Sequence, residues 1–192
     1  MRSNGHTLIE LLFVLAILAI LAAISIPSLQ AYSEAAQLAG ASDVFKGEFR
    51  KARSMAISSG AQTAIVFEGE GDDATFALYR DGNRNGVRHA DIDAGRDPLV
   101  SGPFPVTGNV SGVHVAIHPG TPAIPPAQGT LDPSDPIRFG PSNILSFSPL
   151  STATPGTFYL AGRHGLQAGV RVTGGSSRVR VMICRGGVWH ER

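Results

Sequence analysis

Glu10 is the side chain whose surroundings ask most of its chemistry. It is the one charged residue among the nineteen residues 8–26, and Ser25 is the one other polar group there. At about 1.5 Å of rise per residue that stretch makes roughly 28 Å of helix, close to the ~30 Å hydrocarbon thickness of a bilayer. A charged side chain at mid-membrane costs on the order of 2.5–3.5 kcal/mol, and intramembrane charges are therefore usually paired or functional. A carboxylate in that setting calls for a cationic partner.

Other residues offer weaker chemistry. Residues 81–91, DGNRNGVRHAD, place Asp81, Asn83 and Asn85 at alternate positions with a glycine sixth. That is the opening of an EF-hand-type calcium loop, in which oxygen donors converge on a hard cation. The twelfth position is Ile92 rather than a bidentate glutamate, so Asp91 or Asp93 has to substitute. The competing reading is a polar hairpin turn, for which Asp-Gly and Asn-Gly are the usual dipeptides. His114 and His118 are four apart, which on a helix suits zinc. Val113, Val115 and Ile117 alternate with them, however, and on a strand the two histidines stand about 13 Å apart.

Beyond residue 160 there are six arginines (163, 171, 178, 180, 185 and 192) and a single acid, Glu191. Arg178 and Arg180 alternate with Val179 and Val181 and so share a strand face. With Arg171 and Arg185 they are candidate phosphate contacts for a nucleic acid. The plainer readings are a solvent-facing edge hairpin, or contacts to an acidic neighbour. Trp189 has the same two readings, a base-stacking surface or the cover of a core. Cys184 is the one cysteine, which excludes an internal disulfide framework and a cysteine-based zinc site, and it reads as a small buried apolar residue. There is no G-x-S-x-G, no P-loop and no paired-carboxylate motif, so an enzyme is not expected, nor any cofactor beyond the calcium candidate.

Elements must hold these residues in place. Hydrophobic residues make up 43% of the 192 and charged residues 16%, which excludes a disordered acidic or basic chain and fits one domain with an appendage. After Pro27 apolar residues keep recurring at three- and four-residue intervals, and Ser58-Ser59-Gly60 supplies a helix stop. From Thr63 the period becomes two. The predicted strands are residues 63–68, 75–80, 113–117, 144–147, 157–160, 170–173 and 178–183. Nine of the thirteen prolines fall between Pro103 and Pro141, which predicts a long surface loop at about 101–141, lying on or beside the sheet. Arg2 precedes the apolar run, and no Lys or Arg follows until Lys46; the positive-inside rule then leaves the N-terminus cytoplasmic. A cleaved secretory signal and an ordinary signal anchor are the rival readings of the run, although a signal's apolar core is only about 7–15 residues.

GHTLIE at residues 5–10, following a short leader with Arg2, resembles the type IV pilin and pseudopilin family, except that His6 stands where the family usually has Phe or Met. The resemblance implies a leader at 1–5, cleavage after Gly5 by a prepilin peptidase, and N-methylation of His6. It also implies pairing of Glu10 with the new amine on His6 of a neighbouring subunit, and a helix-kinking role for Pro27. LSFSPLSTATPGTFYL (residues 145–160), followed by arginine-bearing strands, is similar to the C-terminal domain of the GspH/FimT group. The implied fold is α+β and pilin-like. An N-terminal helix over 6–59 (transmembrane at about 8–27, amphipathic over 28–59) packs on an antiparallel β-sheet domain at 60–192. The implied function is that of a minor pseudopilin of a type II secretion system. Its implied place is the bacterial inner membrane, single-pass, with the C-terminal domain periplasmic. Its implied partners are other pilins, the prepilin peptidase and an inner-membrane assembly platform. The alternative is a FimT-like minor pilin of a type IV pilus that grips DNA through Arg171, Arg178, Arg180 and Arg185.

Overall fold

A computed structural model describes residues 8–108 and 112–192. One helix, α1 (Leu8–Ser59), runs for 52 residues and stops at Gly60, whose φ of +65° is the left-handed conformation that suits a glycine after a helix. Its two halves have different surroundings. Large apolar side chains from Leu8 to Ile26 are all exposed, Leu8 at 76% and Ile24 at 70%. From Leu38 onward one stripe is buried: Leu38, Ala41, Ser42, Phe45, Phe49, Ala52 and Ala56, at the three- and four-residue spacing of a single helix face. The one polar member, Ser42, donates its hydroxyl to the Leu38 carbonyl at 2.7 Å.

That stripe packs on two antiparallel sheets. The first has the order β3 (Leu99–Pro105), β2 (Thr75–Arg80), β1 (Thr63–Glu68), β5 (Ile144–Phe147). The second has the order β4 (Ile137–Arg138), β6 (Gly156–Ala161), β7 (Gln167–Val172), β8 (Val179–Arg185), β9 (Val188–Glu191). A short helix, α2 (His89–Asp93), lies between β2 and β3. Phenylalanines knit the helix to both sheets: Phe49 meets Phe67 and Phe139 edge-on, and Phe67 stacks on Phe158 with ring centres 5.3 Å apart. Phe49, Phe139, Phe147 and Phe158 are all among the fully buried side chains.

Both sheets are also covered on the face away from α1. On β1, Ile65 and Phe67 join the main core while Ala64 and Val66 pack with Val87 and Ile144 on the other side. On the second sheet, Tyr159, Met182 and Trp189 are covered by Ile117, Ile124 and Leu131 of the proline-rich loop. Five consecutive residues of β1 are therefore buried, a strand covered on both faces and not a half-exposed one.

The structure corrects three expectations. Residues 113–117 are not a strand: their pairing is a single bridge between His114 and Ala161. The proline-rich segment is not loop from 101 to 141, because β3 occupies its start and β4 lies near its end. Besides β3 and β4, the elements α2 and β9 and a 3-10 turn at Gly71–Asp73 were not expected.

Candidate assembly helix and the surfaces around it

Glu10 lies in the first turn of α1, in the exposed apolar half. The helix is continuous through Pro27. Proline lacks an N–H, so the Ala23 carbonyl has no helical donor at that point. Two residues of the processing expectation, Gly5 and His6, lie outside the described residues. Where α1 meets the domain it is tied by polar contacts as well as by the core. His164 Nδ1, in the β6–β7 turn, is 2.8 Å from Glu34 Oε2, and Arg192 is 3.0 Å from Asp43.

The four candidate arginines do not form one stripe. Arg171 and Arg180 are direct cross-strand partners on β7 and β8. Arg178 and Arg180 both reach Glu191, at 3.3 and 3.4 Å, and Arg171 donates to the Pro125 carbonyl at 2.8 Å. Arg185 is seven residues from Arg178, about 23 Å along the strand, at the opposite end of the sheet. It lines an open groove against α1 with Tyr32, Ala35 and Leu166. The structure thus sets two of the arginines on one carboxylate, places Arg171 beside Arg180, and separates the fourth.

The candidate calcium loop closes on itself. Asp81 is buried, and its two oxygens accept the amides of Asn83 (3.1 Å), Arg84 (2.7 Å) and Gly86 (2.9 Å). Gly86 has φ +88°, the reason a glycine stands sixth. Asn83 Oδ1 accepts the Asn85 amide at 3.2 Å. Asp91, buried on α2, accepts from the Asn85 side chain at 3.0 Å and faces Arg96 at 3.1 Å. The hydrogen bond from Asn85, helped by those from Asn83 and by Arg96, holds the Asp91 carboxyl below the usual carboxylate range. Asp97, which the motif does not include, is 2% exposed and accepts the amides of Gly82 and Arg88, both at 3.1 Å. It escaped notice in the sequence because it lies fifteen residues beyond Gly82, outside the motif's spacing.

The two histidines at 114 and 118 serve different neighbours: His114 Nδ1 is 2.6 Å from Asp72, and His118 Nε2 is 2.8 Å from the Gly162 carbonyl. Among the described residues no group of three or more His, Cys, Asp or Glu side chains is arranged to hold a metal. Cys184 is buried, and burial pushes its thiol up from the ordinary value.

Comparison with known families decides what this architecture is. The prokaryotic N-terminal methylation motif matches residues 1–26, and the type II transport protein GspH family matches residues 41–187. The chain belongs to the GspH family. No curated protein and no solved structure gives a significant match. The methylation motif covers the exposed apolar half of α1, and the GspH match begins where the buried stripe of the same helix reaches Ala41 and runs through both sheets. The two matches therefore divide the chain much as burial divides the helix. A pilin-like pseudopilin with a single N-terminal apolar helix follows from them.

Within this GspH-family domain one structural residue was invisible in the sequence. Gln167 is fully buried; its Nε2 donates to the carbonyls of Ala116 and Leu160, both at 3.0 Å, and its Oε1 accepts the His118 amide at 2.9 Å. It pins the start of the proline-rich loop to the second sheet. Trp189 holds the loop further along, donating from Nε1 to the Pro122 carbonyl at 2.8 Å. Gly169 leaves room between them: a Cβ there would stand 3.1 Å from both Ile124 and Thr157. Trp189 thus covers a core, and a lone buried glutamine gives no periodic signal by which it could have been found.

Proposed function

We propose that this chain is a minor structural subunit of a type II pseudopilus, the periplasmic fibre that helps move folded proteins through the outer membrane. The observation that carries the reading is the divided helix: residues 8–26 are exposed and apolar, while residues 38–56 are locked to the sheets. A monomer in water gains nothing from thirteen exposed large apolar side chains; a bilayer, or a bundle of like helices, covers them. Before assembly the span anchors the chain in the inner membrane with the sheet domain on the periplasmic side. After assembly it forms the fibre core, and Glu10 sets the axial register by pairing with the N-terminal amine of His6 on a neighbour. The partners are sister pilins, the prepilin peptidase and the assembly platform. Nothing in this role calls for catalysis.

Processing is tested by the intact mass of the chain recovered from its own cells. The reading predicts a polypeptide starting at His6 and carrying one N-terminal methyl group. A chain still starting at Met1 would overturn it.

A second reading, a FimT-like pilin that binds DNA, draws on the gathering of Arg171, Arg178 and Arg180 on one sheet. Against it, Glu191 sits between two of those arginines. Calcium in the 81–91 loop is also a proposal. An ion there would have to take Asp81 and Asp91 oxygens away from backbone amides, from the Asn85 side chain and from Arg96.

A further inference from the structure

The apolar run of α1 ends at Ile26, and Tyr32 stands six residues beyond it, about 9 Å of helix. A bilayer is ~40–45 Å thick around its ~30 Å core, which leaves about 5–7 Å of headgroup layer on each side, so the Tyr32 backbone comes just outside that layer, and helical side chains slant toward the helix N-terminus, here back toward the headgroups. Its ring is 74% exposed, the setting in which interfacial aromatics are found. The domain reaches the same level. Through His164 on Glu34 the β6–β7 turn is fixed beside this part of the helix, and Arg185 at the end of β8 lines a groove of about 600 Å³ with Tyr32 and Ala35.

Two cations lie at this end. Arg163 and Arg185 are both exposed, and among the described residues neither forms an ion pair. The nearby carboxylates are already engaged, Glu34 by His164 and Asp43 by Arg192. The arginines at the far end and outer face of the sheet, Arg178 and Arg180, share Glu191. Two exposed arginines without an ion pair therefore sit where the chain leaves the bilayer, although Arg50, Arg80, Arg84 and Arg88 are likewise exposed and outside any ion pair elsewhere on the surface.

We propose that this end of the domain docks on anionic phospholipid headgroups, with Arg163 and Arg185 holding lipid phosphates and Tyr32 seated in the interfacial layer. The inference rests on the membrane-anchored reading of α1. Connectivity does part of the work: the anchored helix keeps the headgroups at high local concentration, so two weak contacts suffice. Docking would hold the unassembled subunit upright and would have to be broken when it enters a fibre.

The test uses the full chain reconstituted into vesicles of phosphatidylcholine alone, or of phosphatidylcholine mixed with phosphatidylglycerol. Flotation comes first. A chain that fails to float with vesicles overturns both the anchored reading and this inference. For floating protein, amide hydrogen exchange is followed in the 162–166 turn, the 185–188 turn and, at the far end, the 173–178 turn. The inference expects exchange in the first two to slow several-fold in the anionic vesicles, to recover in high salt, and to be unchanged in the third. The variant R163Q/R185Q should lose the slowing while keeping wild-type protection in β6 and β7, and R178Q/R180Q should keep the slowing. Equal exchange in both lipids, or slowing that survives in R163Q/R185Q, would overturn the docking and leave the anchor untouched.

Discussion

At the scale of single residues, the structure is held by polar groups that have few substitutes. Gln167→Ala would leave two carbonyls and one amide unsatisfied at a buried site, a cost of about 3 kcal/mol. Urea unfolding of the full chain in detergent should show that loss. Trp189 emission should shift to the red as the loop lifts from Pro122, and an unchanged spectrum would mean that Gln167 does not pin it. Asp91 gives a pH dependence of defined sign. Its folded-state pKa lies below its ordinary value, so the stabilisation is fully present above about pH 4, the unfolded value, and is lost as pH falls through the lower folded value. Amide protection in residues 81–97, taken relative to the intrinsic exchange rate at each pH, should therefore be flat from neutral pH to about pH 5 and fall only in stronger acid, and Asp91→Asn should remove the acid transition. Because the loop's oxygens are already supplied with donors, a thermal melt with and without chelator is expected to give the same midpoint. A calcium-dependent rise would show that the ion wins those oxygens.

At the scale of elements, the core is a helix stripe gripped by two sheets, with Phe49 fully buried against Phe45, Phe67 and Phe139. Phe49→Ala should cost about 3–5 kcal/mol, read from the denaturation midpoint. The strands that were legible in the sequence are those whose apolar residues dominate: β1, β2 and β5 fall on the residues expected from alternation and turn dipeptides. β3 was not legible, because LVSGPFP carries two prolines and a glycine that argue against a strand. It survives as an edge strand, paired on one side only to β2, where missing N–H donors cost least. Residues 113–117 alternate like a strand but are pulled out of register with the sheet by Gln167 and by His118 on Gly162, so burial of Val113, Val115 and Ile117 comes from loop packing. The arginine cluster belongs to this scale too. With Glu191 bridging Arg178 and Arg180, full-length protein in detergent is expected to cause no retardation of DNA at modest salt. Retardation abolished by R178A/R180A would favour the DNA reading.

At the scale of the whole molecule, one continuous helix serves two solvents. Its C-terminal half is an ordinary buried helix of an α+β domain, and its N-terminal half has the length and composition of a membrane span. That division was readable from the sequence, since it depends only on the apolar run and on the helical period that follows it. The partition of the arginines between the two ends of the second sheet was not readable, because it depends on strand order and on which turns meet α1. The central claim is that Glu10 is kept in the apolar segment for subunit pairing. Its most direct measurement is the amount of a Glu10→Gln chain in purified fibres, relative to the wild-type chain at equal membrane level. The account predicts that the variant inserts in the membrane, keeps the domain's stability and is absent from the fibre. Wild-type incorporation of Glu10→Gln would contradict it.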